Sequence, residues 1–192
     1  MLPLMGRPRT YDRAEALRRA TDLFVRKGYG GAHLQELVDV TGMNRFSLYK
    51  EFGGKEGLFQ AALDLYLAQL AAVGAHLTRA PLGLANVRAY YAALLGQAFP
   101  HGCLAVNTIR EKHLVPAGIF ATIEGFARTT ETNLHKNLAA ARDAGELTGE
   151  NDVEALATFL SALNMGLLTY DILDTSSKDK RRMLALIERV LR

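Results

Sequence analysis

The sequence predicts an all-α protein of nine helices, and three observations carry this prediction. Apolar residues recur at spacings of three and four along most of the chain, the period of a helix buried on one side. Glycines and prolines interrupt these segments where helix ends are expected. We find no segment with the strict alternation of a β-strand. With 192 residues, 49% of them hydrophobic, the chain can bury one sizeable core plus a small satellite domain.

The first predicted helix begins at Asp12 and ends at Gly28. Asp12 and Glu15, three residues apart, resemble a capping box. An apolar stripe of helical period follows them and is expected to face inward; its members are Ala16, Leu17, Ala20, Leu23 and Phe24. This helix is expected to pack behind the segment that follows and to orient it.

Residues 34–59 predict two short helices joined by a tight turn, followed by the start of a third. Leu34, Leu37 and Val38 keep helical spacing and face inward. Gly42 breaks the first helix, since glycine adopts a positive φ without penalty. Asn44 is a favourable N-cap for the second helix, so this stretch is typical of a helix-turn-helix.

The second helix of this motif, Arg45–Phe52, has one inward and one outward face. Leu48 and Phe52 are four residues apart and are expected to point into the core. The opposite face carries Arg45, Phe46, Tyr49 and Lys50. In a helix-turn-helix the second helix enters the DNA major groove. The alternative is a two-helix corner in an ordinary helical protein, with Arg45 and Lys50 as solvated charges.

The next helix begins at Lys55, after Gly53 and Gly54 have ended the preceding one. The free N–H groups at a helix start, with a lysine beside them, form a site suited to a backbone phosphate. A solvated surface lysine is the alternative for Lys55.

Positive charge is concentrated in the same region. Residues 1–55 contain ten Lys/Arg and six Asp/Glu, whereas residues 56–192 contain thirteen and fourteen. The excess positive charge therefore lies around the motif, as expected for a surface that faces a polyanion. The segment Gly6-Arg7-Pro8-Arg9 is either an arm that follows the DNA or a disordered tail.

Several short motifs in the first 60 residues resemble the DNA-binding domain of the tetracycline-repressor (TetR) family of regulators; they are Gly28-Tyr29, Thr41-Gly42, Ser47-Leu48-Tyr49, Phe52 and Lys55-Glu56-Gly57-Leu58. The resemblance implies a DNA-binding domain of three helices over residues 1–54. It also implies a dimerising, ligand-binding domain over residues 55–192, linked by the fourth helix.

The resemblance also implies which residues touch DNA. Arg45, Phe46 and Lys50 would lie against base edges, and Ser47, Tyr49 and Lys55 would contact phosphates. The expected DNA-binding set is His33, Asn44, Arg45, Phe46, Ser47, Tyr49, Lys50 and Lys55. Two positions depart from the family pattern, because Ala32 and Gly54 replace residues that usually carry a hydroxyl or amide. His33 is expected to substitute for the first of these contacts.

The rest of the chain predicts six further helices. The fourth runs from Lys55 through Leu77 and is ended by Pro81 and Gly83. The other five are expected at Asn86–Phe99, Cys103–His113, Ile119–Ala144, Asp152–Leu173 and Lys178–Leu191. The longest charge-free run, Ala155–Tyr170, is interrupted by polar residues and is shorter than about 20 apolar residues, so we expect no membrane span.

The last two helices are apolar on more than one face, which indicates burial on more than one side. In the resembling family they pair across a two-fold axis as a four-helix bundle. The expected dimer interface comprises Leu156, Leu160, Leu163, Leu167, Met183, Ile187 and Val190. The alternative is a fully internal helix in a monomer.

A ligand site is expected between the helices of the second domain. Its candidate residues are Tyr66, Leu70, Tyr90, Tyr91, Leu94, Cys103, Asn107, Phe120, Ile123 and Phe126, with plain core packing as the alternative for each. Cys103 follows Gly102 at a predicted helix start, where the helix dipole is expected to lower its thiol pKa. It is therefore either a thiol sensor or a small buried hydrophobe.

Catalytic and metal-binding readings are weak. His101, Cys103 and His113 lack the spacing and the fourth ligand of a zinc site, and we expect neither a cofactor nor an enzyme activity. One cysteine and no visible signal peptide favour a reducing cytoplasm. The sequence thus predicts a dimeric repressor that binds a palindromic duplex operator and leaves it when a small molecule binds. The alternatives are control by Cys103 chemistry, or by a protein partner without a small-molecule ligand.

Overall fold

The computed structural model describes residues 11–148, 152–173 and 176–191. Within these ranges the chain forms nine α-helices and no strand, as the sequence predicts. The helices are α1 (Arg13–Gly31), α2 (Leu34–Thr41), α3 (Arg45–Phe52), α4 (Lys55–Gly74), α5 (Leu84–Gly96), α6 (Leu104–Arg110), α7 (Ala117–Asp143), α8 (Val153–Tyr170) and α9 (Ser177–Val190). The possible arm at residues 6–9 lies outside the described residues.

Most differences from the predicted helices concern their ends. Helix α4 ends at Gly74 and continues as a 3₁₀ turn, Ala75–Thr78. Helix α5 begins at Leu84, two residues before the predicted Asn86, and the Asn86 side chain donates to the carbonyl of Arg79 at 2.7 Å. Helix α1 runs past Gly28 to Gly31 across a kink. The last turn of α1 therefore runs in a different direction from the rest of the helix.

Two hydrophobic cores share helix α4. The first core joins α1–α3 to the first half of α4, to α6 and to the start of α7, and it includes Phe24, Phe59 and Leu104. The second core joins the end of α4 to α5, the second half of α7, α8 and α9, and it includes Tyr91 and Leu160. The helix-turn-helix is thus packed directly against part of the C-terminal region.

Aromatic and ionic contacts fix α1 against the motif. The ring of Phe59 on α4 meets Phe24 and Tyr29 edge to face, with centroids 4.7 and 4.9 Å apart. Such pairs stabilise a core beyond the area that they bury. At the other end of α1, the Arg13 guanidinium lies 3.3 Å from the carboxylate of Glu51 on α3. Both ends of α1 are therefore tied to its neighbours.

The kink in α1 is held by a carboxylate that follows α6. Gly28 has φ +71° and ψ −179°, so the helical hydrogen-bond pattern is interrupted there. Glu111 accepts hydrogen bonds from the backbone N–H groups of Tyr29, at 2.6 Å, and Gly30, at 3.1 Å. A Cβ at Gly28 would lie 2.6–2.8 Å from this carboxylate. The contact links the helix-turn-helix to the C-terminal region, and only glycine leaves room for it.

Helices α3 and α4 meet at a close backbone approach. A Cβ at Gly57 would lie 1.8 Å from the carbonyl oxygen of Phe52. Since backbone cannot rotate away as a side chain can, any larger residue would push α4 off α3. This explains the glycine in the first turn of α4 in terms of packing.

Two helical segments are long and apolar enough to cross a membrane by length and composition alone. They are Lys55–Thr78 and Val153–Tyr170, and this criterion does not test the expectation that neither spans a membrane. In the fold, α4 packs on α1 and α8 packs on α7. The buried apolar residues of these helices therefore belong to the two cores, and one exposed face of α8 is described below.

Gly57→Ala is expected to lower the free energy of unfolding by about 1–3 kcal/mol, because the new methyl group overlaps backbone. Gly125→Ala is the matched control, since nothing lies within 4 Å of a Cβ at that helical position. The control should raise stability by about 0.5–1 kcal/mol. Denaturant unfolding of both variants measures the difference, and equal effects at the two sites would contradict the overlap.

Glu111→Gln is expected to lower the free energy of unfolding by about 1–3 kcal/mol, because an amide offers one acceptor oxygen where the carboxylate offers two to the N–H groups. Glu124→Gln, at an exposed position of α7, is the control and should change little. Hydrogen exchange at the amides of Tyr29 and Gly30 should accelerate in the first variant only. Unchanged exchange at these amides would show that their hydrogen bonds to Glu111 do not stabilise the kink.

Candidate nucleic-acid interface and ligand cavity

The start of α2 is organised by His33 and Glu36. His33 is the N-cap residue, and its backbone N–H donates to the Glu36 carboxylate at 3.2 Å. Lys27 on α1 also pairs with this carboxylate, and the hydrogen bond it donates lowers the pKa of Glu36. Ala32 is completely buried, so its small side chain fills the core where the family pattern has a hydroxyl. The His33 side chain is exposed, as its predicted contact with a phosphate requires.

The turn and the start of α3 form as the sequence predicts. Gly42 adopts the left-handed conformation. The side-chain oxygen of Asn44 accepts a hydrogen bond from the N–H of Ser47 at 2.8 Å. This oxygen caps the helix, and the amide N–H₂ group is the donor that Asn44 has for a phosphate or a base. Asn44 therefore positions α3 as well as standing beside the surface.

One face of α3 is strongly exposed. Phe46 is 76% exposed and Tyr49 is 54% exposed, whereas Leu48 between them is fully buried. Arg45 and Lys50 are exposed on the same side as these rings. Large apolar rings left in water beside two cations indicate a contact surface. We call these four residues, Arg45, Phe46, Tyr49 and Lys50, the reading face.

Gly54 explains how Tyr49 is held. A Cβ at position 54 would lie 3.1 Å from the Tyr49 ring, so the ring rests against bare backbone. Gly54 also has φ +120°, a backbone conformation that side-chain-bearing residues rarely adopt. The glycine at this position therefore suits both the local backbone and the Tyr49 ring.

Lys55 is placed at the start of α4 but is not a simple surface lysine. Its ammonium group lies 4.6 Å from the centroid of the Tyr29 ring, a cation–π distance. Partial burial lowers the pKa of Lys55, and nearby Glu111 opposes that shift. Lys55 thus lies between the kink of α1 and the N-terminus of α4.

Part of the predicted ligand site is brought together as a cavity of about 70 Å³. Five of the ten predicted residues line it: Leu70, Tyr90, Cys103, Ile123 and Phe126. The other walls come from α6, α7 and α8 and include Ser161 and Asn164, which were not among the candidates. The sequence did contain an indication of this role, because Asn164 is a polar residue within a mostly apolar helix.

The other five predicted residues do not line this cavity. The Tyr91 hydroxyl donates to the carbonyl of Leu160 at 2.7 Å, which makes Tyr91 a core residue. Leu94 packs in the second core. Asn107 donates to the carbonyl of Val25 at 3.3 Å and so faces α1. The remaining two are Phe120, whose ring lies under the Lys112 ammonium at 4.4 Å, and Tyr66, which lines a surface groove beside α1.

The cysteine expected to be activated is buried. Cys103 is the N-cap of α6 and is 1% exposed. Burial raises the pKa of its thiol, and the neighbouring Tyr66 hydroxyl and the N–H groups of Val106 and Ala105 offset only part of this. The prediction of a lowered thiol pKa is therefore wrong, because desolvation outweighs the helix terminus. A raised pKa disfavours thiolate chemistry.

The predicted dimer interface divides into buried and exposed residues. Leu156, Leu160 and Ile187 lie in the protomer's own core, 5%, 0% and 4% exposed, and of these only Ile187 also borders the exposed groove described next. An apolar groove between α8 and α9 is lined by Phe159, Leu163, Gly166, Leu167, Tyr170, Met183, Leu186, Ile187 and Val190. It contains five predicted residues and adds Phe159 and Leu186, which are 52% and 57% exposed. We call this feature the α8–α9 groove.

The part of the chain that the structure describes contains no group of three or more His, Cys, Asp or Glu side chains able to hold a metal ion.

Comparison with known proteins supports the resemblance. Residues 16–62 match the family model for bacterial regulatory proteins of the tetR family, and residues 83–187 match the tetracyclin repressor-like C-terminal domain. The HTH-type transcriptional repressor ComR of Escherichia coli is 33% identical over 84% of this chain and 80% of its own length. An uncharacterized HTH-type transcriptional regulator of Bacillus subtilis, YezE, is 31% identical over 85% of this chain and 87% of its own.

Solved structures agree with these relatives. A cysteine mutant of the TetR family transcriptional regulator CifR, complexed with 26-base-pair double-strand operator DNA, is 31% identical. It has a TM-score of 0.75 and covers 97% of this chain and 98% of its own. Escherichia coli NemR in its reduced form has a TM-score of 0.77 at 23% identity, covers 94% and 97% of the two chains, and shares the fold. This chain belongs to the TetR family and is a DNA-binding transcriptional regulator.

Proposed function

We propose that this regulator is a homodimeric cytoplasmic repressor that binds a palindromic operator and leaves it when a small molecule enters the cavity. The observation that carries the DNA-binding part is the reading face. A 76% exposed Phe46 beside Arg45 and Lys50, on a short capped helix, has the composition needed to contact base edges and phosphates. The term repressor follows the names of relatives such as ComR.

Each residue of the motif then has a role in the proposal. Arg45 and Lys50 donate to base edges in the major groove, and Phe46 packs against bases there. Ser47, Tyr49 and His33 contact phosphates at the two sides of α3. Lys55 and the first N–H groups of α4 hold a further phosphate. Residues 1–54 form the DNA-binding unit, and residues 55–192 form the ligand-binding and dimerising unit.

The α8–α9 groove supports dimerisation. Exposed Phe159 and Leu186 leave an apolar surface of a kind that marks interaction sites. Gly166 in the same groove lets a partner helix approach closely. A second copy bound across a two-fold axis would present two α3 helices to half-sites about 34–36 Å apart, or slightly more.

Helix α6 supports a connection between cavity and DNA. Its N-cap Cys103 and its first-turn residue Ala105 line the cavity, and Glu111 just past its end holds the kink of α1. A ligand larger than the present cavity must displace α6 or its neighbours. Because α6 carries Glu111, such a displacement would move α1 and, through it, the reading face.

Arg45→Ala and Lys50→Ala are expected to relax sequence preference by about 1–3 kcal/mol, since each removes a base contact. Lys55→Ala should instead weaken binding to all duplexes alike and reduce the salt slope by about one phosphate contact. The measurement is a titration of each variant against a selected operator and a scrambled duplex, at several salt concentrations.

Arg128→Ala, which removes an exposed cation of α7, is the control for these variants and should leave both affinities unchanged. Failure of the unmodified protein to bind any duplex at low salt would refute the proposal. So would an Arg128→Ala effect equal to that of Arg45→Ala.

Phe159→Arg is expected to convert the dimer to monomers, because it places a charge in the α8–α9 groove without disturbing the core. Leu82→Arg, at a 40% exposed leucine outside the groove, should leave the dimer intact. Sedimentation velocity distinguishes the two species. A monomeric unmodified protein, or a dimeric Phe159→Arg variant, would exclude this interface.

A further inference from the structure

Buried asparagines in this protein differ in how well their amides are satisfied. The Asn137 oxygen accepts hydrogen bonds from the Gly83 N–H at 3.1 Å and from Asn86 at 3.0 Å, and its nitrogen donates to the Leu77 carbonyl at 2.8 Å. Asn164 is 7% exposed, and its side-chain oxygen has no hydrogen-bond partner among the described residues. An unsatisfied buried amide oxygen is rare in folded proteins and calls for a physical explanation.

The surroundings of Asn164 supply that explanation. Asn164 lies in the wall of the cavity of about 70 Å³, together with apolar side chains such as Ile123, Phe126 and Leu70. The hydroxyl of Thr130 in the same wall is already used, since it donates to the Phe126 carbonyl at 3.1 Å. No described residue that lines the cavity carries a charge. The cavity wall therefore contains a buried amide oxygen, that of Asn164, with no hydrogen-bond partner among the described residues, in a mostly apolar lining that also carries the hydroxyls of Tyr90 and Ser161.

This chemistry selects a kind of ligand. An ionic group would lose its hydration without gaining a counter-ion, which makes a charged ligand unfavourable. A purely apolar ligand would leave the Asn164 oxygen unsatisfied. In a molecule with an apolar body and one hydrogen-bond donor, the body packs against the apolar lining and the donor bonds to the Asn164 oxygen.

We propose that the cavity binds a small, uncharged, mostly apolar molecule whose single N–H or O–H group donates to the side-chain oxygen of Asn164. This rests on the proposed function, since it assigns a chemical class to the proposed effector. Asn164 is then the residue that selects donors over isosteric molecules without one. The cavity is smaller than the roughly 150 Å³ enclosure known to hold benzene, so a five-membered ring is a suitable probe.

The experiment compares pyrrole, which carries an N–H donor, with furan, an isosteric ring without one. Methyl NMR titration of the full-length protein without DNA follows the signals of Ile123 and Leu70. Pyrrole is expected to bind about tenfold more tightly than furan, the effect of one hydrogen bond to a buried acceptor. Asn164→Ala, which leaves room for both rings, should reduce this ratio to about one.

A second measurement needs no ligand. Asn164→Leu replaces the unsatisfied amide by an apolar group of similar size, so the melting temperature should rise by about 2–4 °C. Asn137→Leu is the matched control and should lower it, because that amide is fully bonded. An unchanged or lowered melting temperature for Asn164→Leu would show that the oxygen is satisfied, for example by an ordered water, and would overturn the proposal.

Three further outcomes also overturn it: no pyrrole binding, equal binding of both rings to the unmodified protein, or a preference that survives Asn164→Ala. Operator binding by the same preparations separates this result from the proposed function. Intact operator binding without a pyrrole preference rejects the ligand class alone. A pyrrole preference in a protein that binds no duplex rejects the repressor role and leaves the assignment of Asn164 standing.

Discussion

The carboxylate of Glu111 on the kink of α1 is the contact on which the arrangement of this molecule depends. At Gly28 the backbone leaves the helical conformation, and the N–H groups of Tyr29 and Gly30 turn toward Glu111. Partly buried N–H groups without acceptors would destabilise the kink. By satisfying them, a residue that follows α6 sets the direction of the last turn of α1, and with it the position of α2 and α3.

The same contact joins the helix-turn-helix to the helices that form the cavity. Tyr29 is held by Glu111 through its backbone, by Phe59 through its ring, and by the Lys55 ammonium over its face. Residues from α1, α4 and the end of α6 therefore meet at one point. The first core continues this connection, since it contains both helix-turn-helix residues and Cys103 at the cavity wall. A change in cavity size has a short physical path to the DNA-binding surface.

The reading face was predictable because its exposure is decided locally. Once Asn44 caps α3 and Leu48 points inward, the period of the helix places Arg45, Phe46, Tyr49 and Lys50 outside. The cavity was only half predictable. Which helix face meets which neighbour depends on the path of the chain, so Tyr91 and Leu94 turned into the second core while Asn164 entered the cavity. Burial likewise outweighed the helix terminus in setting the thiol pKa of Cys103.

The sequence by itself determined the all-α class, the helix-turn-helix with its caps, and the reading face, because periodicity, capping and turn chemistry act between residues close in the chain. Only the tertiary structure decided which residues of α8 belong to the protomer core and which remain exposed, since Leu160 and Phe159 are neighbours of equal hydrophobic character. It also decided that Glu111 reaches a backbone 81 and 82 residues away. No local rule encodes such a contact, because it arises from the packing of α6 against α1.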